Sequence, residues 1–305
     1  MPIMEIQTSE GWTDVLNALE KERGLALLLG ATDTGKSTLA KYLIPELCRR
    51  GVRTALVDAD IGQSLLGPPT TIGLSVFESP PDWEGNFPSE IFFVGSTTPE
   101  GHFPLHLKGI KRMVDRALFW GAEIILVDTT GFTQGDTGKE LKARKVDLLC
   151  PRFLVAIQRA EEIDHILTLY GENPELMIFR LKPSDHVKSR SREERRAYRA
   201  KKFQEYFKNS KPHKLTLGTV QLSGEVIDAN GFSIPEDWAL SIKGLLLGLL
   251  DSYEDTVALG LIEDYEEGDS AIQISTPAKN IQQVKTLRFS SLRLNASYED
   301  DRIGS

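Results

Sequence analysis

At 305 residues, 40% hydrophobic, 26% charged and 8% aromatic, the chain has a globular composition and a length of roughly two domains, which excludes disordered, collagen-like and coiled-coil classes. Two cysteines, Cys48 and Cys150, cannot build a disulfide framework and suit a reducing compartment. The net charge of −8 argues against a general nucleic-acid binder, yet residues 182–214 hold 12 Lys/Arg against 4 Asp/Glu, a local basic segment able to hold phosphates.

The N-terminus has no basic region followed by an apolar run, so no signal peptide is expected. The longest apolar stretches, 25–29 and 245–250, fall far short of the ~20 residues of a bilayer span. A soluble cytoplasmic protein without membrane association is the expectation. In chain order the pattern predicts a helix at 12–23, a buried strand at 24–30 (GLALLLG), a helix at 36–50 and a strand at 53–60. A Gly/Pro/Thr-rich loop spans 61–73, and 79–89 is rich in turn residues. Strands follow at 90–95, 123–128, 153–158 and 176–181, with helices at 105–120, 139–149 and 161–170. The alternation predicts an α/β fold, a mostly parallel sheet flanked by helices. After Pro183 the pattern gives a long basic helix at 189–209, short strands from 214 onward, one apolar helix at 238–250 and a loose tail. The expected organisation is an N-terminal helical segment (1–23), a P-loop domain (24–210) and a small β-rich C-terminal domain (211–305).

Gly30-Ala31-Thr32-Asp33-Thr34-Gly35-Lys36-Ser37 fits GxxxxGK[ST] between a buried strand and a helix. The glycines let backbone N–H groups turn toward an anion, and the helix beginning near Lys36 adds its positive end. Lys36 reaches β- and γ-phosphates, Ser37 ligates Mg²⁺, and Thr38 continues the site. Two acidic strand ends follow. Asp128 closes the 123–128 strand in the Walker-B position, and Asp58-Ala59-Asp60 closes the 53–60 strand. Carboxylates at the carboxyl ends of parallel strands face the ligand crevice. Ser37, Asp60 and Asp128 are therefore expected around Mg²⁺. Asp58 or Asp60 is the group able to take a proton from an acceptor hydroxyl, and either is equally able to cap the following turn.

DADIGQSLLGPPTTIGL, together with the P-loop, resembles the polynucleotide 5′-hydroxyl kinase family. The segment from Gly95 to His102 (GSTTPEGH) looks like the family's clasp, which grips the nucleic acid. Residues 128–135 (DTTGFTQG) look like its NTxGW…G element, and Arg190 through Phe207 looks like its arginine lid. The resemblance implies transfer of the γ-phosphate of ATP or GTP to the 5′-hydroxyl end of RNA or DNA, with Mg²⁺. It implies catalytic roles for Lys36, Asp58, Asp60, Arg190 and Arg195. It implies nucleic-acid contacts from Gln63, Thr97, Thr98, Pro99, His102, Phe132, Arg196 and Arg199. His102 stands where the family's clasp usually has asparagine, Phe132 where it has tryptophan, and Asp128 where it has asparagine. These departures bear on the grip on nucleic acid rather than on the transferred group.

Arg192, Arg195, Arg196 and Arg199 are spaced to share a helical face, whose bland reading is a solvated basic helix. Phe132 is suited to stack a terminal base; packing against the crevice wall is the other reading. The histidines and cysteines show no zinc-ligand spacing. Two other classes compete: a P-loop kinase for a small hydroxyl-bearing metabolite, and an ATP-binding scaffold subunit of an RNA-processing complex. A switch GTPase is disfavoured, because Gln158-Arg-Ala-Glu-Glu stands where a guanine-reading NKxD element would be expected.

Overall fold

The computed structural model describes residues 9–81, 89–184, 187–224 and 242–302. The turn-rich stretch at 79–89, the first residues of the helix expected at 238–250 and the end of the tail fall largely outside the described residues. Two compact units emerge. The first gathers described residues within Met1–Leu66, Ile72–Glu90 and Pro99–Arg190; the second gathers those within Gly67–Thr71, Ile91–Thr98 and Ser191–Ser305.

The first unit is the α/β layer. Its elements are α1 (Trp12–Glu22), β1 (Gly24–Leu29), α2 (Lys36–Arg49), β2 (Thr54–Ala59), β3 (Thr71–Phe77), α3 (Phe103–Phe119), β5 (Ile124–Thr129), α4 (Gly135–Leu149), β6 (Phe153–Ile157), α5 (Asp164–Leu167) and β7 (Met177–Leu181); β4 (Glu90–Phe93) lies between β3 and α3 in the chain, and its residues from Ile91 onward belong to the second unit. The sheet order is β4-β3-β2-β5-β1-β6-β7. From β2 to β7 every pairing is parallel. These strands are unbroken apolar runs because helices cover both faces. On one face Ala26, Leu28, Leu56, Leu126 and Val155 pack with Trp12, Leu16 and Leu19 of α1 and Leu39, Leu43 and Leu47 of α2. α3 packs on β2 and on α4.

β3 was not expected and corrects the loop reading of its first residues. It pairs antiparallel with β2, Val57 opposite Leu74. Thr70, at φ 72, turns the chain into it. A Cβ at Gly73 would lie 2.8 Å from the Leu66 carbonyl oxygen, so only glycine lets the preceding loop cross here. A buried strand entered from a Gly-Pro-Pro loop gives no alternation, and the turn residues hide it.

The second unit is a seven-stranded sheet, order β14-β13-β10-β11-β12-β8, with β9 added parallel to β13. Its strands are β8 (Lys211–Thr216), β9 (Gln221–Gly224), β10 (Leu245–Leu250), β11 (Thr256–Glu266), β12 (Ala271–Thr276), β13 (Thr286–Leu294) and β14 (Asp300–Arg302). Here a sequence expectation fails. Residues 245–250, read as the end of an apolar helix, form β10, the strand between β13 and β11. All six residues are buried. A continuous apolar run fits a fully buried strand as well as a buried helix, and Gly248 decides between them. A Cβ there would sit 2.7 Å from Cγ of Phe93, with Cδ1 closer still, so the glycine admits the aromatic ring onto the sheet.

The basic helix α6 (Arg192–Phe207) also belongs to this second unit, not to the α/β unit as the expected boundary at 210 had it. Phe203 and Phe207 bury against Phe93, Leu246, Leu259 and Leu292. The Tyr206 hydroxyl accepts from Leu259 N–H at 2.9 Å. The helix begins at Arg192 because Ser191 and Glu194 form a reciprocal capping box. Among the described residues, no helix is long and apolar enough to cross a membrane.

Candidate active site

The phosphate loop runs from the end of β1 into α2. Gly35 holds φ 98 and Asp33 holds φ 53, left-handed values that fold the loop back on itself. A Cβ at Gly30 would lie 2.6 Å from Thr34 Oγ1. Thr34 Oγ1 donates to the Ala31 carbonyl at 3.0 Å and closes the loop. Thr32 and Thr38 are exposed. The Lys36 side chain is buried and donates to the carbonyls of Gly30 (3.0 Å) and Ala31 (2.7 Å). Burial lowers its pKa, while Asp128, Asp60 and Asp33 pull it back up.

Two strand ends bring carboxylates to this loop. β5 pairs with β1 on one side and β2 on the other, with Asp128 in register with both Leu28 and Asp58. Ser37 Oγ donates to Asp128 Oδ2 at 2.5 Å. Asp128 Oδ1 is buried and has no hydrogen-bond partner among the described residues. Burial raises the Asp128 pKa, opposed by Lys36 and Ser37. A hydroxyl and a buried carboxylate with an unused oxygen are a donor set suited to Mg²⁺, which takes few protein ligands and completes its octahedron with phosphate and water.

Asp58 and Asp60 have different environments. Asp58 is fully buried and accepts from Ser64 Oγ (2.9 Å), Leu66 N–H (2.7 Å) and Asp60 N–H (3.2 Å). It organises the loop that follows β2. Burial, then the neighbouring Asp128, raises its pKa. Asp60 is half-buried. Its Oδ1 accepts from Gly62 N–H (3.1 Å) and Gln63 N–H (3.0 Å). Its Oδ2 takes no hydrogen bond among the described residues.

Within the first unit, Arg190 N–H donates to Asp33 Oδ2 at 3.0 Å, and its guanidinium donates to Gln63 Oε1 at 3.4 Å. Arg190 and Gln63 are thus brought together at the phosphate loop. Pro99 accepts from His102 N–H at 2.9 Å, a tight turn into α3. Phe132 is half-buried and meets Phe103 edge-on, centroids 6.4 Å apart. In the second unit Thr98 N–H donates to Ser96 Oγ at 3.2 Å, beside Thr97. There Arg195 is half-buried and Arg196 lies 3.6 Å from Glu299. Arg199, expected to contact nucleic acid, is engaged within its own unit. Its fork grips Asp300 with both arms, at 2.8 and 3.0 Å, and ties α6 to β14.

Residues 30–209 match the family model of the mRNA cleavage and polyadenylation factor CLP1 P-loop. The chain belongs to this family. It is 30% identical to the polyribonucleotide 5'-hydroxyl-kinase MJ1315 of Methanocaldococcus jannaschii, over 90% of this chain and 88% of that protein. It is 29% identical to the polyribonucleotide 5'-hydroxyl-kinase PYRAB01840 of Pyrococcus abyssi, over 94% of each. In fold it is similar to the wild-type Clp1p-Pcf11p (454–563) complex, with a TM-score of 0.71, 13% identity, and coverage of 94% of this chain and 80% of that one.

Three further residues at this CLP1-family site escaped the sequence reading. Gly131 has its Cα against the phosphate loop, where a Cβ would lie 2.5 Å from Thr32 Cα. Lys142 and Lys145 of α4 are wholly buried. Lys142 Nζ donates to Thr129 Oγ1 (2.8 Å) and to the Thr130 carbonyl (2.5 Å), just past Asp128. Both lysines have lowered pKa values because burial penalises their charge, Lys145 to about 7. Their signal was faint: they share a helical face with Leu141 and Val146, but lysine is ordinarily assigned to solvent.

Proposed function

We propose that this chain transfers the γ-phosphate of a nucleoside triphosphate to the 5′-hydroxyl of an RNA end. The observation that carries the reading is the Ser37–Asp128 pair beside Asp60, whose Oδ2 takes no hydrogen bond among the described residues. A pure nucleotide binder needs the first pair but not the third group. The two archaeal relatives named as polyribonucleotide 5'-hydroxyl-kinases, matched over most of their length, support the same reaction.

Phosphoryl transfer asks the protein chiefly for positioning and charge neutralisation. The loop from Gly30 to Thr38 cradles the donor phosphates, and Lys36 swings from its carbonyls to them. Ser37 and Asp128 would hold Mg²⁺, which would supply charge neutralisation to the transferred phosphate. Asp60 orients the acceptor hydroxyl and takes its proton through Oδ2. Asp58 holds the loop that presents Asp60. Arg190 and Gln63, already in contact, border the nucleotide and the strand end. Arg195 meets the developing charge, and Thr97, Thr98, Pro99, His102, Phe132 and Arg196 contact the nucleic acid. A cytoplasmic location accords with this reading.

The test supplies NTP labelled at the γ-phosphate and Mg²⁺ with 5′-OH RNA, 5′-OH DNA, a panel of small hydroxyl metabolites, or water alone. Label on the RNA end is the expected result. Label confined to a metabolite selects the small-molecule kinase, and label released only as free phosphate selects the scaffold or switch class. Arg195→Ala is expected to depress turnover far more than nucleotide affinity, as a group acting on the transition state requires.

A further inference from the structure

A cluster the reaction does not yet account for lies where α3 and α4 approach the ends of β2 and β5. Lys142 and Lys145 sit one helical turn apart on α4. Lys142 is satisfied by Thr129 and Thr130. Lys145 Nζ is fully buried, with no hydrogen-bond partner among the described residues. On α3, His106 is equally buried, and its Nε2 lies 3.0 Å from the Ala59 carbonyl. A carbonyl only accepts, so Nε2 carries the proton and Nδ1 presents a lone pair. That Nδ1 also has no partner among the described residues. A buried donor on α4 and a buried acceptor on α3 are left over. Lys145 is the foremost charged neighbour of His106, and Asp60 and Asp128 are the carboxylates that act on Lys145.

An unpaired buried ammonium costs stability. Leucine or methionine would fill the same helical position without that cost. A protein keeps such a residue where the site uses it. The Ala59 carbonyl that His106 holds is flanked by Asp58 and Asp60, and the peptide Lys142 holds follows Asp128.

We propose that Lys145 is a positioning residue for phosphoryl transfer: its ammonium, linked through water to His106 Nδ1, fixes the Asp60 and Asp128 carboxylates in their reactive orientation. The inference rests on the kinase reading above. Lys145 touches neither nucleotide nor RNA. It acts through His106 and the Ala59 peptide on one side, and by its charge on the carboxylates on the other.

The test is Lys145→Met in the full chain, followed by thermal melting and by steady-state kinetics with saturating Mg²⁺ and 5′-OH RNA. The proposal expects a melting temperature equal to or above the wild type, because a buried charge has been removed. It expects kcat lower by about 10–100-fold, the usual loss when an outer support of a catalytic group is removed, with KM for the nucleotide little changed. His106→Gln, which retains an N–H donor for the Ala59 carbonyl, is expected to keep more turnover than His106→Leu. Unchanged kcat in Lys145→Met overturns the proposal, as does a loss confined to KM. A fall in melting temperature or failure to fold also overturns it, since either assigns the lysine to packing. A wild-type protein inactive on RNA ends defeats the kinase reading instead, and the wild-type control separates the two failures.

Discussion

Ser37 at the start of α2 and Asp128 at the end of β5 are joined by a 2.5 Å hydrogen bond across 91 residues of sequence. The bond fixes the phosphate loop against the strand whose carboxylate is proposed to hold Mg²⁺. Asp128→Asn keeps the shape but removes the charge that a hard cation requires. The expected outcome is a large rise in the Mg²⁺ concentration needed for half-maximal turnover, read from a metal titration at fixed nucleotide. Ser37→Ala is expected to shift the same titration less, because the carboxylate remains.

The neighbouring acids, alike in sequence, separate by environment. Asp60→Asn is expected to lower kcat by about 10²–10⁴-fold, the range for loss of a general base, while the melting temperature stays near the wild type. Asp58→Asn is expected to act through the loop. Its carboxylate gathers Ser64, Leu66 and Asp60, so weakened acceptance loosens residues 60–66 and affects turnover and loop protection together. Hydrogen exchange at Leu66 N–H distinguishes the two variants.

Buried titratable groups also set the pH dependence of stability. Asp58 binds its proton more tightly folded than unfolded. Through the interval from the ordinary carboxylate range up toward neutrality, the native state therefore holds a proton the unfolded chain has released, and rising pH destabilises. Lys145 has the opposite sign. Its pKa falls from 10.5 to about 7, so above neutrality the unfolded chain binds the extra proton and rising pH stabilises. Together these two groups place a dip in stability near neutral pH. Melting curves from pH 5 to 10 are expected to show Asp58→Asn flattening the acidic flank and Lys145→Met flattening the basic one.

Arg199 and Asp300 form a bidentate pair with side-chain exposures of 18% and 10%. Breaking a pair this sheltered by removing one partner costs about 3 kcal/mol. Asp300→Ala is expected to lower the unfolding free energy by that order in a denaturant titration. Arg199→Met with Asp300→Leu is expected to recover most of the loss. Turnover per folded molecule should follow neither change, which separates Arg199 from the arginines assigned to substrate.

The parallel sheet was legible because strands covered on both faces must be unbroken apolar runs, and 24–29, 124–129 and 153–157 are such runs. The phosphate loop was legible because its glycines and lysine have few alternatives. The same apolar continuity misled at 245–250, where helix and strand look alike until the ring of Phe93 is seen against Gly248. The basic helix was legible as a charge run, but its attachment to the second unit depends on Phe203 and Phe207, two rings among many charges. Lys145 and His106 were invisible because no local pattern marks a buried cation; only the fold brings them together with Asp60 and Asp128.

Gly131 follows the two threonines after Asp128, and no left-handed backbone angle explains it. Its requirement is spatial: a Cβ would lie 2.5 Å from Thr32 Cα, backbone that cannot rotate away. Gly131→Ala must push the phosphate loop off β5 or bend the segment after Asp128, and either movement stretches the Ser37–Asp128 bond. The expected result is a loss of nucleotide affinity with the sheet intact, read as a weaker Kd in calorimetry beside an unchanged circular dichroism spectrum. Gly121→Ala is the contrasting variant. Its φ of 78 strains an alanine, but no atom lies within 4 Å of the added carbon, so it is expected to cost stability by about 1 kcal/mol and leave nucleotide binding intact. Equal nucleotide affinity in both variants would mean that the Thr32 contact does not govern the loop.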